Sequence, residues 1–345
     1  MDSPRLSVIC PAYNQASYIR RALDGFVRQR TSFSFEVIVH DDASTDGTAE
    51  IIREYAARHP DLFRPVMETE NQYSRGVPFL QQKVFPLVRG EYVALCEGDD
   101  YWTDERKLQR QVDWLDAHPE SGLCFHPVTV HYEDGSRPDE TFPPRTWGND
   151  NTRFTFRELL RRNFVQTNSA VYRWRLNKDG SELPEGIMPV DWYMHLLHAD
   201  GGEIGFLPET MSVYRRNSGG IWWGDRAGNG FYLRNGIAHL LFYRAVRERF
   251  GYEDAARTLA MARQTAIAAL RTGDMNVLRT LLETFSDECR RLGDFIAEEA
   301  GLLRASRQRC ARMIRLIKRQ KRHFRRLIAI FAVLLSCLVV VAVIF

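Results

Sequence analysis

Three carboxylates and a glycine come directly after a short apolar run. The run, Tyr92–Cys96, is β-prone and long enough for one buried strand, and it is followed by Glu97, Gly98, Asp99 and Asp100. Carboxylates this close repel one another and lose hydration when buried, so such a turn usually binds a cation or faces water. Because every donor atom is an oxygen, Mg²⁺ or Mn²⁺ suits the cluster better than zinc. The alternative is a solvated acidic turn.

A second pair of carboxylates, Asp41 and Asp42, follows the apolar run Phe35–Val39. Adjacent carboxylates at the end of a buried strand are costly unless something donates hydrogen bonds to them or water reaches them. A nucleotide base has N–H donors, so one aspartate could bind its edge. The alternative is that Ser44–Asp46 caps the next helix beside a solvated pair. Tyr13 could stack on a base or simply pack.

The segments around these clusters alternate between strand and helix. We predict strands at Leu6–Cys10, Phe35–Val39 and Tyr92–Cys96, and helices at Ser17–Arg30 and Thr48–Arg58. Alternation of this kind favours right-handed βαβ units and a mostly parallel sheet. Ligands bind such sheets beyond the carboxyl ends of the strands, where the polar clusters PAYN, DDASTDG and EGDD all fall.

The remaining elements are predicted from the same periodicities. They are a strand pair over residues 121–132, a loop over 133–151, a helix over 154–162, a strand over 166–172, a helix from about 190 to 199, a strand over 204–214 and helices from 231 to about 300.

Several segments resemble family 2 glycosyltransferases of the GT-A fold. They are SVICPAYNQASYIRRALDGFVRQ, FEVIVHDDASTDGT, EYVALCEGDDYWTDERKLQRQVDWL, PVDWYMH and MSVYRRNSGGIWW, and together they cover about residues 5–224. The resemblance implies an α/β fold with a Rossmann-like, mostly parallel sheet and flanking helices. It also implies an inverting enzyme that uses a nucleotide-sugar donor, here expected to be a UDP-sugar, and a Mn²⁺ or Mg²⁺ cofactor.

The resemblance assigns a nucleotide pocket to the first two clusters. Pro11, Ala12, Tyr13 and Asn14 would line the pocket, and Asp41 with Asp42 would hold the base and ribose.

The resemblance places Glu97, Gly98 and Asp99 at the family's DXD position, next to the donor. Asp99 would be the direct metal ligand, with Asp100 and Glu97 nearby. Glu97 is a longer acid than the aspartate that is usual at its position. The bound metal would neutralise the nucleoside diphosphate as it leaves.

Asp191 matches the family's general base, which takes the proton of the acceptor hydroxyl as that hydroxyl attacks. Trp192 could be an acceptor platform or, more in keeping with a helix start, part of the core.

Arg215 and Arg216 would bring positive charge to the diphosphate, unless RRNSGG is a basic surface loop. Asn217 stands where a histidine often follows in the family.

Two other function classes compete with glycosyl transfer. A nucleotidyltransferase would usually show a Gly-rich, basic phosphate loop after the first strand, and PAYNQAS is not one. An inactive nucleotide-sugar-binding scaffold would keep the fold without the reaction.

Processive members of the family carry the motif QxxRW. This chain has Arg173 and Trp174 but Ala170 in place of the glutamine, so we expect non-processive transfer to a glycan or lipid-linked acceptor.

The charge of the 345-residue chain is asymmetric. Its net charge is only +3, but eleven of the 47 basic residues and no acidic ones lie in 303–326, leaving 36 basic against 44 acidic residues. This distribution indicates that the basic segment binds a partner. It argues against nucleic-acid binding by the rest of the chain, which is net acidic. Residues 327–345 contain no charge and are long enough for one membrane span. The positive-inside rule then puts the catalytic domain on the cytoplasmic side.

The predicted organisation has four parts. Residues 1–224 form the GT-A domain, 225–302 a helical region, 303–326 a basic amphipathic helix that binds anionic lipids, and 327–345 a C-terminal transmembrane helix. The six cysteines lie far apart with no zinc-type spacing, which fits a reducing compartment.

Overall fold

In a computed structural model of the chain, we describe residues 3–144, 154–218 and 228–285. The backbone contacts divide the chain into two compact units. The first unit comprises 1–185 and 190–223, and the second comprises 186–189 and 224–345.

The first unit contains eleven described strands and five described α-helices. The strands are β1 (Leu6–Ala12), β2 (Phe35–Asp41), β3 (Phe63–Met67), β4 (Tyr92–Leu95), β5 (Tyr101–Trp102), β6 (Leu123–Phe125), β7 (Val128–Tyr132), β8 (Glu140–Phe142), β9 (Val171–Arg173), β10 (Ile204–Phe206) and β11 (Ser212–Arg216). The helices are α1 (Ile19–Val27), α2 (Thr48–Arg58), α3 (Lys107–Ala117), α4 (Phe156–Arg161) and α5 (Val190–Ala199), with shorter helical turns at Leu80–Val84, Phe85–Leu87 and Thr167–Ser169.

Seven of the strands form one sheet in the order β10-β6-β9-β4-β1-β2-β3. All neighbours are parallel except β9, which runs antiparallel to both β4 and β6. The predicted α/β class with a mostly parallel sheet is therefore confirmed. Strands β1, β2 and β4 are adjacent, so the polar clusters that follow them begin at the same edge of the sheet.

The core of this sheet is formed by buried strand residues and the apolar faces of the helices. Ile19, Leu23 and Phe26 of α1 are fully buried, as their helical spacing predicts. Phe26 packs edge-on against Trp102, with ring centroids 4.8 Å apart. A Cβ at Gly25 would lie 3.1 Å from the Trp102 carbonyl oxygen, so this glycine lets α1 approach β5 closely.

A second sheet has the strand order β5-β11-β7-β8, with β11 parallel to β7 and antiparallel to β5. Strand β5 begins immediately after Asp100, so this sheet supports the far side of the acidic turn. The predicted single strand over 204–214 is wrong, because β10 and β11 belong to different sheets. Pro208 lies between them and has no N–H for a sheet ladder.

The predicted strand over 166–172 is also only partly correct. Its first half is the short 3₁₀ turn Thr167–Ser169, and only Val171–Arg173 pairs in the sheet. The consecutive Thr, Asn and Ser side chains explain the difference, since these side chains hydrogen-bond to nearby backbone and favour turns over strands.

The described part of the second unit consists of α6 (Asn229–Phe250), α7 (Ala255–Thr272) and α8 (Met275–Thr284). Its core includes Leu240, Ala266 and Leu281. The Asp254 carboxylate caps α7 by accepting from the Arg257 N–H at 2.9 Å, as expected for an N-cap aspartate. Helices were predicted from 231 to about 300, and residues 286–302 lie outside the described residues.

The predicted C-terminal transmembrane helix and the single-pass membrane localisation require correction. Across 3–144, 154–218 and 228–285, no helix is both long and apolar enough to cross a bilayer. The two segments on which these expectations rested, 303–326 and 327–345, lie outside the described residues.

The side chain of Lys107 is fully buried in the first unit. Its Nζ donates to Gln111 Oε1 at 2.8 Å and lies 4.3 Å from the centre of the Trp102 ring. Burial disfavours the ammonium form and lowers the pKa of Lys107 to about 7. The unfolded chain therefore binds more protons at this residue than the folded chain between about pH 7 and the ordinary lysine pKa of ~10.4.

We predict that Lys107 makes the free energy of unfolding rise with pH in that window. The difference between wild type and Lys107→Met should increase by up to ~1.4 kcal/mol per pH unit from about pH 7 to 10. Urea unfolding at several pH values measures it. Lys83→Met, which removes an exposed lysine, is the control and should give a pH-independent difference. The same flat result for Lys107→Met would contradict the prediction.

Candidate active site

The loops after β1, β2 and β4 meet at one edge of the main sheet. The Gly98 N–H donates to the Pro11 carbonyl at 3.0 Å, and the Asp42 N–H donates to the Ala12 carbonyl at 3.0 Å. The last residues of β1 thus contact both acidic clusters. The structure brings together the three polar clusters that the strand pattern placed at this edge.

Gly98 is required by close packing against the loop and helix that follow β1. A Cβ at this position would lie 2.5 Å from Gln15 Oε1 and 2.7 Å from Ile19 Cδ1. Both distances are shorter than real Cβ contacts, so a larger residue would require the ends of the Gln15 and Ile19 side chains to shift. Gly98 therefore lets the acidic turn pack closely on the loop and helix that follow β1.

The loop after β1 is joined to the loop after β2 by side-chain hydrogen bonds. The Asn14 N–H donates to Ser44 Oγ at 2.9 Å, and the Thr45 N–H donates to Asn14 Oδ1 at 2.9 Å. Asp46 accepts from the Ala16 N–H at 2.9 Å and also from the Thr48 N–H at 3.1 Å, at the start of α2. Asp46 thus bonds to the first residue of α2, and Ser44, Thr45 and Asp46 hold the loop after β1.

Asp42 anchors a third loop. Its Oδ1 accepts from the Gln72 N–H at 2.6 Å and its Oδ2 from the Tyr73 N–H at 3.0 Å. Asp41 Oδ2 accepts from the Ser44 N–H at 3.2 Å, whereas Asp41 Oδ1 is buried and has no hydrogen-bond partner in the described part of the chain. Asp41 therefore retains an unused acceptor, and Asp42 is engaged by the loop.

Tyr13 and Tyr73 present exposed rings on the loops that Asp42 connects. Tyr13 is 47% exposed and Tyr73 is 50% exposed, while the core aromatic residues of this unit are almost fully buried. Tyr73 was missed by the sequence analysis because no motif surrounds it. Its place at the site depends on the bond from its backbone to Asp42, 31 residues earlier in the chain.

The acidic turn holds carboxylates that resist ionisation. Burial, together with the smaller effects of the nearby charges of Asp99 and Asp191, raises the pKa of Glu97 to about 8. Burial also raises the pKa of Asp99, although the Asn217 amide, which donates to Asp99 Oδ2 at 2.8 Å, acts against it. Glu97 Oε2 is buried and has no hydrogen-bond partner among the described residues.

Asp100, which was expected beside the metal, is instead hydrogen-bonded to other parts of the protein. Its Oδ1 accepts from the Arg215 N–H at 2.8 Å and its Oδ2 from Asn168 Nδ2 at 2.7 Å. Both oxygens therefore bind protein donors, and Asp100 ties the acidic turn to β11.

Arg215, expected at the diphosphate, is buried beneath the acidic turn. Its Nε donates to the Asp99 carbonyl at 2.8 Å, and its Nη1 donates to Glu133 Oε2 at 2.6 Å. The guanidinium also lies over the rings of Tyr18 and Tyr101, at 4.8 and 5.3 Å from their centroids. It thus compensates the buried acids from within the protein.

Arg216 is half-buried, and its guanidinium lies over the rings of Tyr132 and Tyr214, at 5.8 and 5.5 Å. The end of the motif that contains it, residues 219–223, lies outside the described residues.

Asp191 lies in the first turn of α5, where the helix dipole favours a negative charge. Its Oδ2 accepts from Thr167 Oγ1 at 3.1 Å. Because its charge raises the pKa of Glu97, Asp191 shares one electrostatic environment with the acidic turn. Trp192 is buried and donates from Nε1 to the Leu159 carbonyl at 2.8 Å, so it belongs to the core.

Comparison with known proteins decides the family. Residues 7–218 match the model described as Glycosyl transferase family 2. The chain belongs to glycosyl transferase family 2. This confirms the resemblance seen in the motifs and the enzyme class that it implies, and it counts against the nucleotidyltransferase alternative.

Among curated relatives, Uncharacterized protein Rv1520 of Mycobacterium tuberculosis is 55% identical over 217 residues, 63% of this chain and 60% of the relative. Uncharacterized glycosyltransferase alr2836 of Nostoc is 27% identical over 220 residues, 61% of this chain and 64% of the relative. The chain thus spans about three fifths of the length of these relatives.

Solved structures share the fold at low sequence identity. The structure of S. aureus TarS 1-349 in complex with UDP-GlcNAc has a TM-score of 0.55 at 21% identity, covering 96% of this chain and 90% of TarS. The mannosyltransferase PcManGT from Pyrobaculum calidifontis, in complex with GDP-Man and Mn2+, has a TM-score of 0.50 at 22% identity, covering 98% and 87%. These likenesses support the GT-A-like α/β fold.

The acidic turn of this family 2 protein has carboxylate oxygens, which are the ligand atoms that Mg²⁺ and Mn²⁺ prefer. In the described ranges, no three His, Cys, Asp or Glu side chains group as a metal site. However, Mg²⁺ in nucleotide enzymes is commonly bound by one or two carboxylates together with substrate phosphates. Asp99 and the unpartnered oxygen of Glu97 match that requirement.

We predict that Asp42→Ala frees the loop that contains Gln72 and Tyr73. The two backbone N–H groups would lose a charged acceptor, a type of bond that contributes ~1.5–3 kcal/mol. Hydrogen exchange in a peptide covering 70–76 should accelerate at least about tenfold. Asp61→Ala, which removes an exposed acid outside this loop, is the control. Unchanged protection in Asp42→Ala would show that the loop is held by other contacts.

Proposed function

We propose that this family 2 protein is a metal-dependent, inverting glycosyltransferase that moves a sugar from a nucleotide sugar to an acceptor hydroxyl. The observation that carries the proposal is that two consecutive residues, Thr167 and Asn168, bond to Asp191 and to Asp100 of the acidic turn, at 3.1 and 2.7 Å. This arrangement supports a single site that holds both a proton acceptor and the carboxylates of the donor-binding turn, and the charge of Asp191 also raises the pKa of Glu97. An inverting transfer requires this pairing, since the acceptor must be deprotonated while the diphosphate departs.

The nucleotide half of the donor would bind beyond β1 and β2. Asp41 Oδ1 is buried and has no hydrogen-bond partner among the described residues, a state that a base N–H would relieve. Uracil has such a donor at N3, and we propose a UDP-sugar as donor, as the family motifs imply. The exposed rings of Tyr13 and Tyr73 are available to stack on the base. Asp42 would act through the loop that it anchors. TarS, complexed with UDP-GlcNAc, has the same fold.

The diphosphate would bind at the acidic turn. Asp99 and Glu97 would hold Mn²⁺ or Mg²⁺, which when bound supplies positive charge at the leaving diphosphate. The fold relative PcManGT has Mn2+ together with GDP-Man. Asn217 and Arg215 orient Asp99 by bonding to its side chain and its carbonyl oxygen. Arg216 is half-buried and would bring positive charge to the diphosphate.

Asp191 would act as the general base. Its carboxylate takes the proton of the acceptor hydroxyl while the hydroxyl oxygen forms a bond to the anomeric carbon. The bond from that carbon to the diphosphate oxygen breaks on the opposite side, which inverts the configuration. Asp191 lies in the first turn of α5, and the Thr167 hydroxyl donates to its Oδ2 at 3.1 Å, so the carboxylate has a defined orientation.

We propose a glycan hydroxyl as acceptor and non-processive transfer. Ala170 replaces the glutamine of the processive motif before Arg173 and Trp174. The expectation of a lipid-linked acceptor rested on the membrane anchor and loses that support. A scaffold that binds the donor without transfer is the competing function, and the enzyme assays below separate the two.

We predict that Asp191→Asn keeps donor binding and loses transfer. The amide is nearly isosteric but cannot take a proton, so kcat should fall by about 10²- to 10⁴-fold. Purified wild type and variant are first screened for nucleoside diphosphate release with several nucleotide sugars and an acceptor glycan extract, and donor binding is then measured by calorimetry. Normal turnover by the variant would exclude Asp191 as the base, and no transfer by the wild type would favour the scaffold.

We predict that Asp99→Ala weakens donor binding only when Mn²⁺ is present. Removal of a metal ligand should raise the donor Kd at least about tenfold with Mn²⁺, because ligand carboxylates determine the affinity for hard cations. With EDTA, wild type and variant should bind the donor alike. Asp113→Ala removes an exposed acid of α3 and is the matched control. A variant that binds the donor as tightly as wild type in Mn²⁺ would contradict the assignment.

A further inference from the structure

The 3₁₀ turn Thr167–Ser169 lies between the two acidic groups of the site and is almost fully buried. Thr167 is 4% exposed, and Asn168 and Ser169 are 0% exposed. Neither the motifs nor the resemblance pointed to this turn, which was expected to be part of a strand. Three consecutive polar side chains at this depth are costly unless each has a defined partner.

The first residue of the turn contacts the proposed base. Thr167 Oγ1 donates to Asp191 Oδ2 at 3.1 Å. This bond restricts rotation of the Asp191 carboxylate without placing a charged group beside it. The threonine hydroxyl therefore holds the group that would take the acceptor's proton.

The second residue contacts the acidic turn. Asn168 Nδ2 donates to Asp100 Oδ2 at 2.7 Å and to the Val213 carbonyl at 3.0 Å, and Asn168 Oδ1 accepts from Ser212 Oγ at 2.9 Å. Asp100 is adjacent in the chain to Asp99. Consecutive residues of one turn thus bond to the proposed base and to the neighbour of the proposed metal ligand.

The backbone of the turn is held from the opposite side. Trp102 Nε1 donates to the Asn168 carbonyl at 2.9 Å, and Gln111 Nε2 donates to the Ser169 carbonyl at 2.9 Å. Both donors are buried, and Gln111 is itself bonded to Lys107. The turn is therefore fixed against β5 and α3, and it has little freedom to shift relative to the acidic turn.

We propose that this turn positions the general base relative to the donor-binding acids, with Thr167 as the positioning residue for Asp191. The inference rests on the function proposed above. Transfer requires the acceptor oxygen, the anomeric carbon and the base in near-attack geometry, and small displacements of a reacting group lower the rate steeply. Thr167 sets the orientation of the carboxylate, and Asn168 sets the distance from the turn to Asp100.

The test uses a variant that changes the hydroxyl and little else. Thr167→Val keeps the shape and removes the O–H, Thr167→Ser keeps the O–H, and Thr31→Val removes a hydroxyl that bonds only to the Phe33 carbonyl far along the chain from the site. For each full-length variant we would measure kcat at saturating donor and acceptor, donor Kd with Mn²⁺ by calorimetry, and the melting temperature.

We expect Thr167→Val to lower kcat at least about tenfold with donor Kd within about twofold of wild type. Thr167→Ser should restore kcat to within about threefold, and Thr31→Val should match wild type. A purely structural role would lower the melting temperature of Thr167→Val without this selective loss of kcat. That outcome, or a normal kcat in Thr167→Val, would overturn the inference while wild-type transfer still supports the function. No transfer by the wild type would overturn the proposed function and the inference together.

Discussion

The cost of placing carboxylates at the ends of buried strands is the constraint on which this site depends. Asp41 ends β2, and Asp42, Glu97, Asp99 and Asp100 follow strands of the main sheet. All five are buried or half-buried and so lose hydration. The protein compensates most of that loss with backbone N–H groups, two amide side chains and one buried guanidinium. The compensation is incomplete at Asp41 and Glu97, whose unpartnered oxygens mark the places where a donor and its metal ion would complete the site.

The acids therefore divide into two roles that their residue type does not reveal. Asp42, Asp46 and Asp100 bond to loops and strands that surround the site. Asp99 accepts a hydrogen bond from Asn217, and Asp191 accepts one from Thr167. Arg215, which was expected at the diphosphate, instead bonds beneath the acidic turn. In the proposed reaction, such fixed partners would hold the reacting groups in place.

Part of this arrangement could be predicted from the sequence. The apolar run before the acidic turn, the helical stripe of α1 and the strand–helix alternation predicted the parallel sheet and the edge at which PAYN, DDASTDG and EGDD meet. The family motifs predicted the metal-ligand role of Asp99 and the base role of Asp191, and both roles stay predictions. The prediction of one strand over 204–214 was wrong, because Pro208 interrupts it. The prediction of a strand from 166 was wrong in its first half, because the polar residues Thr167–Ser169 form a turn.

The sequence by itself determined the fold class, the family and the edge of the sheet that holds the site, because these follow from local periodicity and from motifs of adjacent residues. Only the tertiary structure decided which acids are available for chemistry. Asp42 is engaged by a loop thirty residues later, and Asp100 by Asn168 and the backbone of Arg215, far along the chain. A carboxylate's chemistry depends on its burial and its partners, and both are set by packing between segments that are distant in sequence.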